Sequence, residues 1–362
     1  MSVLEILNCG PATTIQDGGR PGLSRIGLPS AGAMDQRALR LANALVGNPP
    51  HAGAVELAFA GLVARAIGGA MQLALAGAPA DIECGGRAEQ SHRTFILHEG
   101  EELRIGAMTN GIYAVLAIAG GIAVPPVLGS CSLDARAAIG GLVGRPLRPG
   151  DCLPLNGRAT PFVSRWSNAV GLDPLVPIRV VVGPQDHAFT ERGVQTLLGR
   201  PFTVSHGINR MAYRLQGSVI ERKPGIELIS DGTLPGSIQV PPDGYPIVLM
   251  ADRQTIGGYP KIATVISADL GKLAQRCPGQ EVCFAPVTAR EAREIACQVG
   301  VSDLNVRQGV PPGLERYSSP DALDLEAIGN VADAVVDACD VTTWEIAAAA
   351  KVSRVGPRNK DA

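Results

Sequence analysis

The sequence predicts a mainly β protein built from two linked β-rich subdomains. Short apolar runs recur along most of the chain, and turn residues separate them: 44 of the 362 residues are glycine and 28 are proline. Many short strands joined by tight turns are typical of β barrels and sandwiches. A chain of this length is expected to form about two domains, and its hydrophobic fraction of 46% is sufficient for a sizeable core.

The subdomain boundaries are predicted from changes in composition. The first β-rich subdomain is expected over residues 1–155 and the second over residues 178–300. Residues 156–177 are polar and contain arginine, serine and proline, which is typical of a linker. Residues 301–362 are expected to form a peripheral tail, with helical spacing over 321–350 and a disordered basic end.

The first half is predicted to contain an opening strand over residues 2–7 and, later, one clear helix. Asp35 is a good N-cap, apolar residues then recur at helical spacing, and Gly47 ends the pattern. Asn43 lies within this helix and is expected to face solvent. Further strands are predicted over residues 55–59, 71–75, 94–97, 102–105 and 113–118.

Residues 105–133 carry no charged side chain, so this run is long enough to span a bilayer. Gly120 and Gly121 interrupt it, as do Pro125 and Pro126. We therefore interpret the run as two buried strands with a break between them, and we do not expect a membrane partner.

The second half is predicted to be β-rich with two helices. A short helix that includes Phe189 and Leu197 is expected after the first strand, and Thr288 is expected to cap a helix that runs through Gln298. Strands are predicted over residues 178–182, 202–205, 213–215 and 227–230.

Charge and cysteine usage exclude several classes of protein. The formal net charge of −2 is spread evenly, which argues against a nucleic acid or an acidic membrane as the main partner. The eight cysteines show no C-x-x-C pair, and no secretory leader follows Met1. These features predict reduced thiols in a cytoplasmic protein. His92 and His98 lack the spacing of a helical metal-binding pair, so no metal site is expected.

Residues 236–263 contain the strongest candidate for a functional site. An apolar run over 246–250 predicts a buried strand, and Asp252, Arg253, Gln254 and Thr255 follow it directly. Gly257 and Gly258 then allow a sharp turn or the close approach of a ligand, and Tyr259 and Lys261 come next. Polar groups at the end of a rigid strand are typical of a binding or catalytic site. The alternative is a surface turn in which the acid and the base pair with each other.

Two other segments could contribute to a site. Residues 13–22 form a polar, glycine-rich stretch whose N–H groups could bind an anion, although a plain loop is the alternative. Arg210 could hold a carboxylate or a phosphate with two hydrogen bonds, or it could form a surface ion pair. Neither G-x-x-x-x-G-K-[ST] nor G-x-G-x-x-G occurs, so both common phosphate-binding signatures are absent.

Taken together, these segments resemble a carboxyltransferase-type family. Its members are found as the C subunit of 5-oxoprolinase, as allophanate hydrolase subunit 2 and as half of the carboxyltransferase domain of urea carboxylases. The matches follow one another in the family's order over about residues 3–290. They are TTIQDGGRPG (13–22), GAMD (32–35), ALRLANALVGN (38–48), IGGLVGRPLRPGD (139–151), GPQDHAF (183–189), NRMAYRL (209–215), GSIQVPPDGYPIVLMADRQTIGGYPKIA (236–263) and LAQRCPG (273–279).

The resemblance implies two cyclophilin-like β-barrel subdomains and a set of site residues. In that reading Arg210, Arg253 and Lys261 bind anions, Asp252 orients the substrate or acts as a general base, and the glycine pair after Thr255 lets the backbone approach a ligand. The implied catalytic residues are Asp252, Arg253, Gln254 and Lys261. The implied substrate- or nucleotide-binding residues are Gln16, Asp17, Arg20, Asp35, Arg210, Gln239, Thr255, Gly257, Gly258 and Tyr259.

The activity that the resemblance implies first is that of the 5-oxoprolinase C subunit. Such a protein would help an ATP-dependent complex to activate the 5-oxoproline lactam for ring opening to glutamate, with Mg²⁺ accompanying ATP in the complex. One implied partner is the small B subunit of 5-oxoprolinase, which is similar to allophanate hydrolase subunit 1. The other is the ring-opening A subunit of 5-oxoprolinase. The substrate would be a small amide.

Two alternatives remain open at this point. One is carboxyl transfer from carboxybiotin to urea or a related amide, in which biotin would be carried by a separate protein. The other is a regulatory role as the binding partner of a kinase-inhibitor-like subunit.

The chain also departs from the family at a few positions. Cys131 replaces an arginine that is common there, Tyr113 and Val115 stand where arginine and tyrosine are common, and Ile256 replaces a threonine. These departures are compatible with a changed substrate.

Overall fold

A computed structural model describes residues 2–157, 163–165, 176–226, 228–302 and 307–309. The described chain forms two compact units. Unit 1 contains residues 2–157, 163–165, 271–277 and 307–309, and unit 2 contains residues 176–226, 228–270 and 278–302. Most of the predicted linker, and the helical pattern expected over 321–350, lie outside the described residues.

The part of unit 1 over residues 2–157 contains short strands and one α-helix, α1 (Gln36–Leu45). The strands up to residue 165 are β1 (Val3–Cys9), β2 (Thr14–Gln16), β3 (Ala54–Ala58), β4 (Leu62–Ile67), β5 (Met71–Gly77), β6 (Ile82–Cys84), β7 (Arg87–Glu89), β8 (Thr94–Leu97), β9 (Glu102–Ile105), β10 (Tyr113–Ile118), β11 (Cys152–Pro154) and β12 (Val163–Arg165).

Two sheets in unit 1 enclose one aliphatic core. Six strands pair in the order β11-β1-β4-β9-β6-β7, and five pair in the order β2-β3-β10-β5-β8. Successive side chains of a strand point to opposite faces, so Leu73 and Leu75 of β5 join the core. Ala74 and Ala76 point the other way, into a second cluster with Leu39 of α1. The small alanines allow α1 to pack closely on this sheet.

Unit 2 contains the remaining strands that precede residue 303. They are β13 (Ile178–Val182), β14 (Phe202–Ile208), β15 (Ala212–Gly217), β16 (Asp231–Gly232), β17 (Ser237–Gln239), β18 (Ile247–Leu249), β19 (Ile256–Gly257), β20 (Lys261–Val265), β21 (Glu281–Val282) and β22 (Phe284–Pro286). The helices after α1 are α2 (Glu191–Gly199), α3 (Ser267–Ala274) and α4 (Ala289–Ser302). A last strand, β23 (Arg307–Gly309), pairs with β12.

One eight-stranded sheet organises unit 2. Its order is β21-β14-β15-β18-β17-β20-β13-β22, and only the β13–β22 pair is parallel. A separate two-stranded ladder joins β16 to β19. In β15, Tyr213 and Leu215 are buried whereas Arg214 is exposed, as expected for a strand whose successive side chains point to opposite faces of the sheet.

The predicted fold class, mainly β with barrel-type subdomains, is confirmed. The strands predicted over 94–97, 102–105, 113–118 and 178–182 have the observed bounds. The predicted caps are also present. Asp35 Oδ1 accepts a hydrogen bond from Ala38 N at 3.0 Å, and Thr288 exchanges hydrogen bonds with Glu291 at the start of α4.

Several predictions about secondary structure were wrong. Two strands were predicted in the uncharged run over residues 105–133. After residue 105 the run contains one full strand, β10, and the chain after Gly121 forms only isolated bridges. Residues 228–230 are not a strand, and the ladder begins at Asp231. Phe189 precedes α2 in extended conformation. Part of the predicted loop over 13–22 is the strand β2, because Thr14–Gln16 pairs with β3.

Asn43 was predicted to face solvent, but it is fully buried. Its side-chain amide donates to Ala52 O at 2.9 Å, and its Oδ1 accepts from Asn48 Nδ2 at 3.1 Å. The helix therefore uses a buried amide to hold the loop that follows it, and these hydrogen bonds offset the cost of burying the polar group.

No helix within the described residues combines the length and apolar character needed to cross a bilayer.

Candidate functional site

The predicted site residues fall into two groups, one in each unit. Gln16, Asp17, Arg20 and Asp35 belong to unit 1, and all the others belong to unit 2. Each group contains buried charged side chains, which are costly unless they are paired or hydrogen-bonded. The partners of these charges therefore show what each group can do.

In unit 1, Asp17 forms a closed node with the loop around Cys131. Its Oδ1 accepts from Ser130 Oγ at 2.6 Å, from Ser132 Oγ at 2.5 Å and from Gly19 N at 2.7 Å. Its Oδ2 accepts from Cys131 N at 2.7 Å. Asp17 is itself buried. Because four donors already engage the carboxylate, it anchors this loop to the end of β2.

Arg20 ties the same loop from its other side. Its guanidinium donates to the backbone carbonyls of Ser130 and Ser132, and its Nε lies 3.4 Å from Val127 O. Arg20 is fully buried. Its hydrogen bonds therefore go mainly to the backbone of one loop, and two buried atoms of the group, Gln16 Oε1 and Arg20 Nη1, have no partner among the described residues.

Cys131 lies beside a pocket of about 290 Å³ that Asp17, Asn48, Gly53 and Asn156 also line. Burial and the negative charge of Asp17 raise the pKa of the Cys131 thiol to about 12. The thiol is therefore protonated at neutral pH and is a poor nucleophile. Cys131 therefore adds no charge to this loop, unlike the arginine that is common at this position in the family.

Asp35 has a second partner besides its helix cap. Its Oδ2 accepts from Gln275 Nε2 at 2.9 Å, and Gln275 Oε1 accepts from Ile112 N and Tyr113 N at 2.9 and 3.0 Å. The structure thus joins Asp35 to α1 and to the start of β10. The predicted role of Asp35 in ligand binding stays a prediction.

In unit 2, Arg210 and Asp252 form a two-point ion pair. Arg210 Nε lies 2.7 Å from Asp252 Oδ2, and Arg210 Nη2 lies 2.9 Å from Oδ1. The backbone N–H of Asp252 also donates to Arg210 O at 2.9 Å. Both side chains are largely buried. The structure therefore brings together two predicted site residues, one before β15 and one after β18.

Arg253 is buried and holds the strand that carries the next part of the site. Its Nε and Nη2 lie 3.3 and 3.2 Å from Thr233 O. Thr233 also donates through its hydroxyl to Gln254 O and through its N–H to Thr255 O. These contacts fix residues 231–233 against residues 254–257, next to the β16–β19 ladder.

Lys261 is the centre of the cluster in unit 2. Its side chain is only 3% exposed, and its Nζ lies 2.8 Å from Asp231 Oδ2 and 2.9 Å from Gly232 O. Gln185 accepts from Lys261 N at 2.9 Å and places its Nε2 at 3.4 Å from the same Asp231 oxygen. The Asp231 side chain is 44% exposed. The buried ammonium is thus paired with a carboxylate that is partly exposed to solvent.

Side-chain amides lie next to this ion pair. Gln239 is paired with Lys261 across β17 and β20, and its Nε2 donates to Tyr259 O at 3.3 Å. Gln254 Nε2 donates to Gln239 Oε1 at 3.3 Å. A Cβ on Gly257 would lie 2.3 Å from Gln239 Nε2, so a side chain at this position would displace the amide.

The cluster contains two residues that the sequence analysis missed, Asp231 and Gln185. Asp231 faces Gly257 across the two-residue ladder, 30 residues before Lys261 in the chain. No local pattern reveals such a long-range pair. Gln185 could have been predicted as a site residue, because it belongs to the GPQDHAF segment that resembles the family.

The arrangement in unit 2 suits recognition of a small polar molecule. The buried ammonium can hold an anionic group, and the neighbouring amides can both donate to and accept from an amide. Gly258 and the half-exposed Tyr259 border the cluster. Within the part of the chain that the structure describes, no group of three or more histidine, cysteine, aspartate or glutamate side chains could hold a metal ion.

Comparison with known proteins identifies relatives that match most of the chain. Residues 26–286 match the family model described as carboxyltransferase domain, subdomain A and B. The 5-oxoprolinase C subunit of Escherichia coli (strain K12) is 40% identical over 293 residues, which cover 80% of this chain and 93% of that protein. The 5-oxoprolinase C subunit of Haemophilus influenzae is 37% identical over 297 residues, which cover 81% and 94%.

A solved structure supports the fold. The urea carboxylase of Kluyveromyces lactis is 28% identical and superimposes with a TM-score of 0.75. The match covers 83% of this chain but only 29% of the yeast protein. The similarity to that enzyme is therefore confined to one part of it.

Proposed function

Because the chain belongs to the carboxyltransferase domain family, subdomains A and B, we propose that it acts as the C subunit of an ATP-dependent 5-oxoprolinase. The observation that carries this proposal is the similarity to two bacterial 5-oxoprolinase C subunits, which covers nearly all of those proteins and about four fifths of this chain. In this role the chain helps a complex to activate the 5-oxoproline lactam, which is then opened to glutamate.

The proposal gives the chain specific partners. They are the small B subunit of 5-oxoprolinase, which is similar to allophanate hydrolase subunit 1, and the ring-opening A subunit. The complex would be cytoplasmic, and it would use ATP and Mg²⁺. The substrate is a small amide, and the matching bacterial relatives are named as subunits, which agrees with an enzyme of several chains.

The chemistry requires that a poorly reactive amide be positioned and polarised. Negative charge develops on the lactam oxygen during activation, and a fixed positive charge or amide donor nearby would stabilise it. The side-chain amides of Gln254 and Gln239 supply such donors in unit 2, and Lys261 supplies a fixed positive charge for an anionic group of the substrate. We assign Gln254 to holding the lactam and Lys261 to binding the anionic group.

Asp252 and Arg253 were predicted to take part directly, and their contacts suggest how. Asp252 is paired with Arg210, so a role as general base would require that ion pair to open. Arg253 is buried against Thr233 O, from where it positions the strand that carries Asp231. We propose that Arg253 is a positioning residue. Substitution of Asp252 tests whether that residue takes part in catalysis.

We propose that neither cluster binds a nucleotide. Arg210 is engaged by the largely buried Asp252 and Arg253 by the Thr233 carbonyl, which leaves Lys261, with its half-exposed partner, as a single cation for an anionic group. Arg20 donates to loop carbonyls, and the sequence lacks both common phosphate-binding signatures. We therefore place ATP and Mg²⁺ at the level of the complex and derive no step of the reaction through them in this chain.

Carboxyl transfer to urea with carboxybiotin is the second candidate. The structural similarity to the yeast urea carboxylase favours it, although that match covers a minor part of the yeast enzyme. Under this reading the same amides would bind urea, and biotin would arrive on a separate carrier protein.

The test is the release of inorganic phosphate from ATP by the chain assembled with its two partners, the small protein and the ring-opening protein. We expect release that depends on 5-oxoproline and on all three proteins, with urea inactive. Release that depends on urea would favour the second candidate. A folded complex that responds to neither compound would contradict both and favour the regulatory role.

A further inference from the structure

The carboxylate of Asp231 occupies a set of donors that would equally well hold the carboxylate of a free molecule. Its Oδ2 meets Lys261 Nζ at 2.8 Å and Gln185 Nε2 at 3.4 Å, and its Oδ1 accepts from Gly232 N at 2.7 Å. Both oxygens are therefore engaged, by different donors. Two-point contact of this kind recognises a planar carboxylate.

We propose that Lys261, Gln185 and the Gly232 N–H form the binding site for the carboxylate of a small substrate, and that Asp231 occupies this site as a tethered competitor. The substrate would displace the Asp231 side chain and take over its contact with the buried ammonium. Identification of that substrate as 5-oxoproline rests on the proposed function, whereas the site itself does not.

The first argument is the unequal exposure of the two charges. In the Lys261–Asp231 pair the cation is buried and the acid is 44% exposed. The Arg179–Asp269 pair has the opposite arrangement, with the acid fully buried. A buried acid cannot be replaced by a ligand from solvent, but the Asp231 carboxylate lies where a ligand would arrive.

The second argument is that Asp231 can leave without disturbing the sheet. β16 is only two residues long, and Ser230 and Gly232 on either side are exposed. The backbone of β16 is held separately, because its pairing with β19 and the contacts of Thr233 use main-chain atoms. Rotation of the aspartate about its Cα–Cβ bond to another staggered position is therefore sufficient.

The third argument is the position of the amides. Gly257 faces Asp231 across the ladder, and the amide of Gln239 lies directly against Gly257. Gln254 hydrogen-bonds to that amide. A molecule that carries a carboxylate and a secondary amide on one small ring would place them on these two neighbouring groups, and 5-oxoproline is such a molecule.

The test is a binding titration of the purified full-length chain with three probes, monitored by ligand-observed NMR. Acetate reports on the carboxylate site alone, 5-oxoproline carries both groups, and 2-pyrrolidinone is the same lactam without the carboxylate. We expect Asp231→Asn to bind acetate and 5-oxoproline about fivefold more tightly, since removing a half-exposed competing ion pair is worth a factor of that order. Binding of 2-pyrrolidinone should not change.

Two further variants keep the result interpretable. Asp231→Glu retains a tethered carboxylate and should keep affinities near those of the wild type. Lys261→Met removes the ammonium and should weaken binding of both acids at least about tenfold. Asp243→Asn is the matched control, because Asp243 also pairs with an arginine in unit 2 and is similarly exposed. It should change no affinity.

Unchanged or weaker binding of acetate by Asp231→Asn would overturn the proposal, and Asp231→Ser provides the same test if the asparagine variant is not folded. Tighter binding of inorganic phosphate without tighter binding of acetate would overturn the assignment to a carboxylate. Tighter acetate binding in a complex that does not turn over 5-oxoproline would leave this site standing and refute the proposed substrate instead.

Discussion

The two clusters of buried charge differ in whether their carboxylate can be reached. In unit 1, Asp17 borders the pocket beside Cys131, but it is buried and four donors of its own chain engage its carboxylate, so the node is closed. In unit 2, Lys261 is buried but Asp231 is half-exposed, so the pair is open to a ligand. Asp17 and Lys261 were both predicted to be site residues. If the proposed site is correct, the exposure of the carboxylate, more than the presence of a buried charge, separates a structural anchor from a binding site.

The largest expected effect concerns the closed node. Asp17→Ala would leave the loop donors without an acceptor, so the free energy of unfolding should fall by about 3 kcal/mol. Denaturant titration measures this quantity. Asp243→Asn, in an exposed ion pair, is the control and should change stability by less than about 1 kcal/mol. Equal effects of the two substitutions would show that Asp17 is not a structural anchor.

The Arg210–Asp252 pair lies between the two extremes, because both side chains are largely buried yet both were predicted to act on substrate. A double-mutant cycle with Arg210→Met and Asp252→Asn should give a coupling of about 1–2 kcal/mol in the free energy of unfolding. Turnover by the complex supplies the second measurement. If Asp252 acts on the substrate, Asp252→Asn abolishes turnover in a folded complex. Equal losses of turnover for Arg210→Met and Asp252→Asn would show that the ion pair has a structural role only.

A smaller effect is expected at the rim of the open cluster. Gln254→Met removes the amide that contacts Gln239 but keeps a similar size. The KM for 5-oxoproline should rise about fivefold, the value of one hydrogen bond, while kcat changes less. Gln195→Met, on the exposed face of α2, is the matched control. A fall in kcat with an unchanged KM would contradict the assigned role in substrate binding.

The smallest expected effect is a difference in the labelling of two cysteines, which tests the closed node in the wild-type chain. Because burial and Asp17 raise the pKa of Cys131 to about 12, its thiolate at pH 8 should be rare. Iodoacetamide should therefore modify the exposed Cys152 well before Cys131 in the folded chain. Mass spectrometry of the peptides reports the order. Equal labelling of the two cysteines would show that the loop around Asp17 opens readily.

Much of the fold could be predicted because local pattern and tertiary structure agree. The strand over residues 113–118 is entirely apolar and bounded by turn residues, and its bounds were predicted correctly. β4 was missed because Arg65 interrupts its apolar residues, and only its place between β1 and β9 reveals it as a strand. Asn43 was assigned to the surface because a buried amide depends on partners that a single helix does not show.

The site could be predicted only in part, for the same reason. Polar residues after the β18 strand were found because they are consecutive in the chain. Asp231 was not found, since its contact with Lys261 depends on pairing between two-residue strands that carry no pattern of their own. Sequence analysis also could not distinguish Arg253, which is engaged by a backbone carbonyl, from Lys261, which faces an exposed acid.

The measurement that tests the central claim most directly is 5-oxoproline-dependent phosphate release by complexes assembled with Lys261→Met. We predict that this variant folds, assembles and loses at least about tenfold in kcat/KM for 5-oxoproline, because the buried charge that binds the carboxylate of the substrate is removed. Lys223→Met, which changes an exposed lysine of the same unit, should retain full activity. Full activity of the Lys261→Met complex would contradict the account and place the substrate elsewhere.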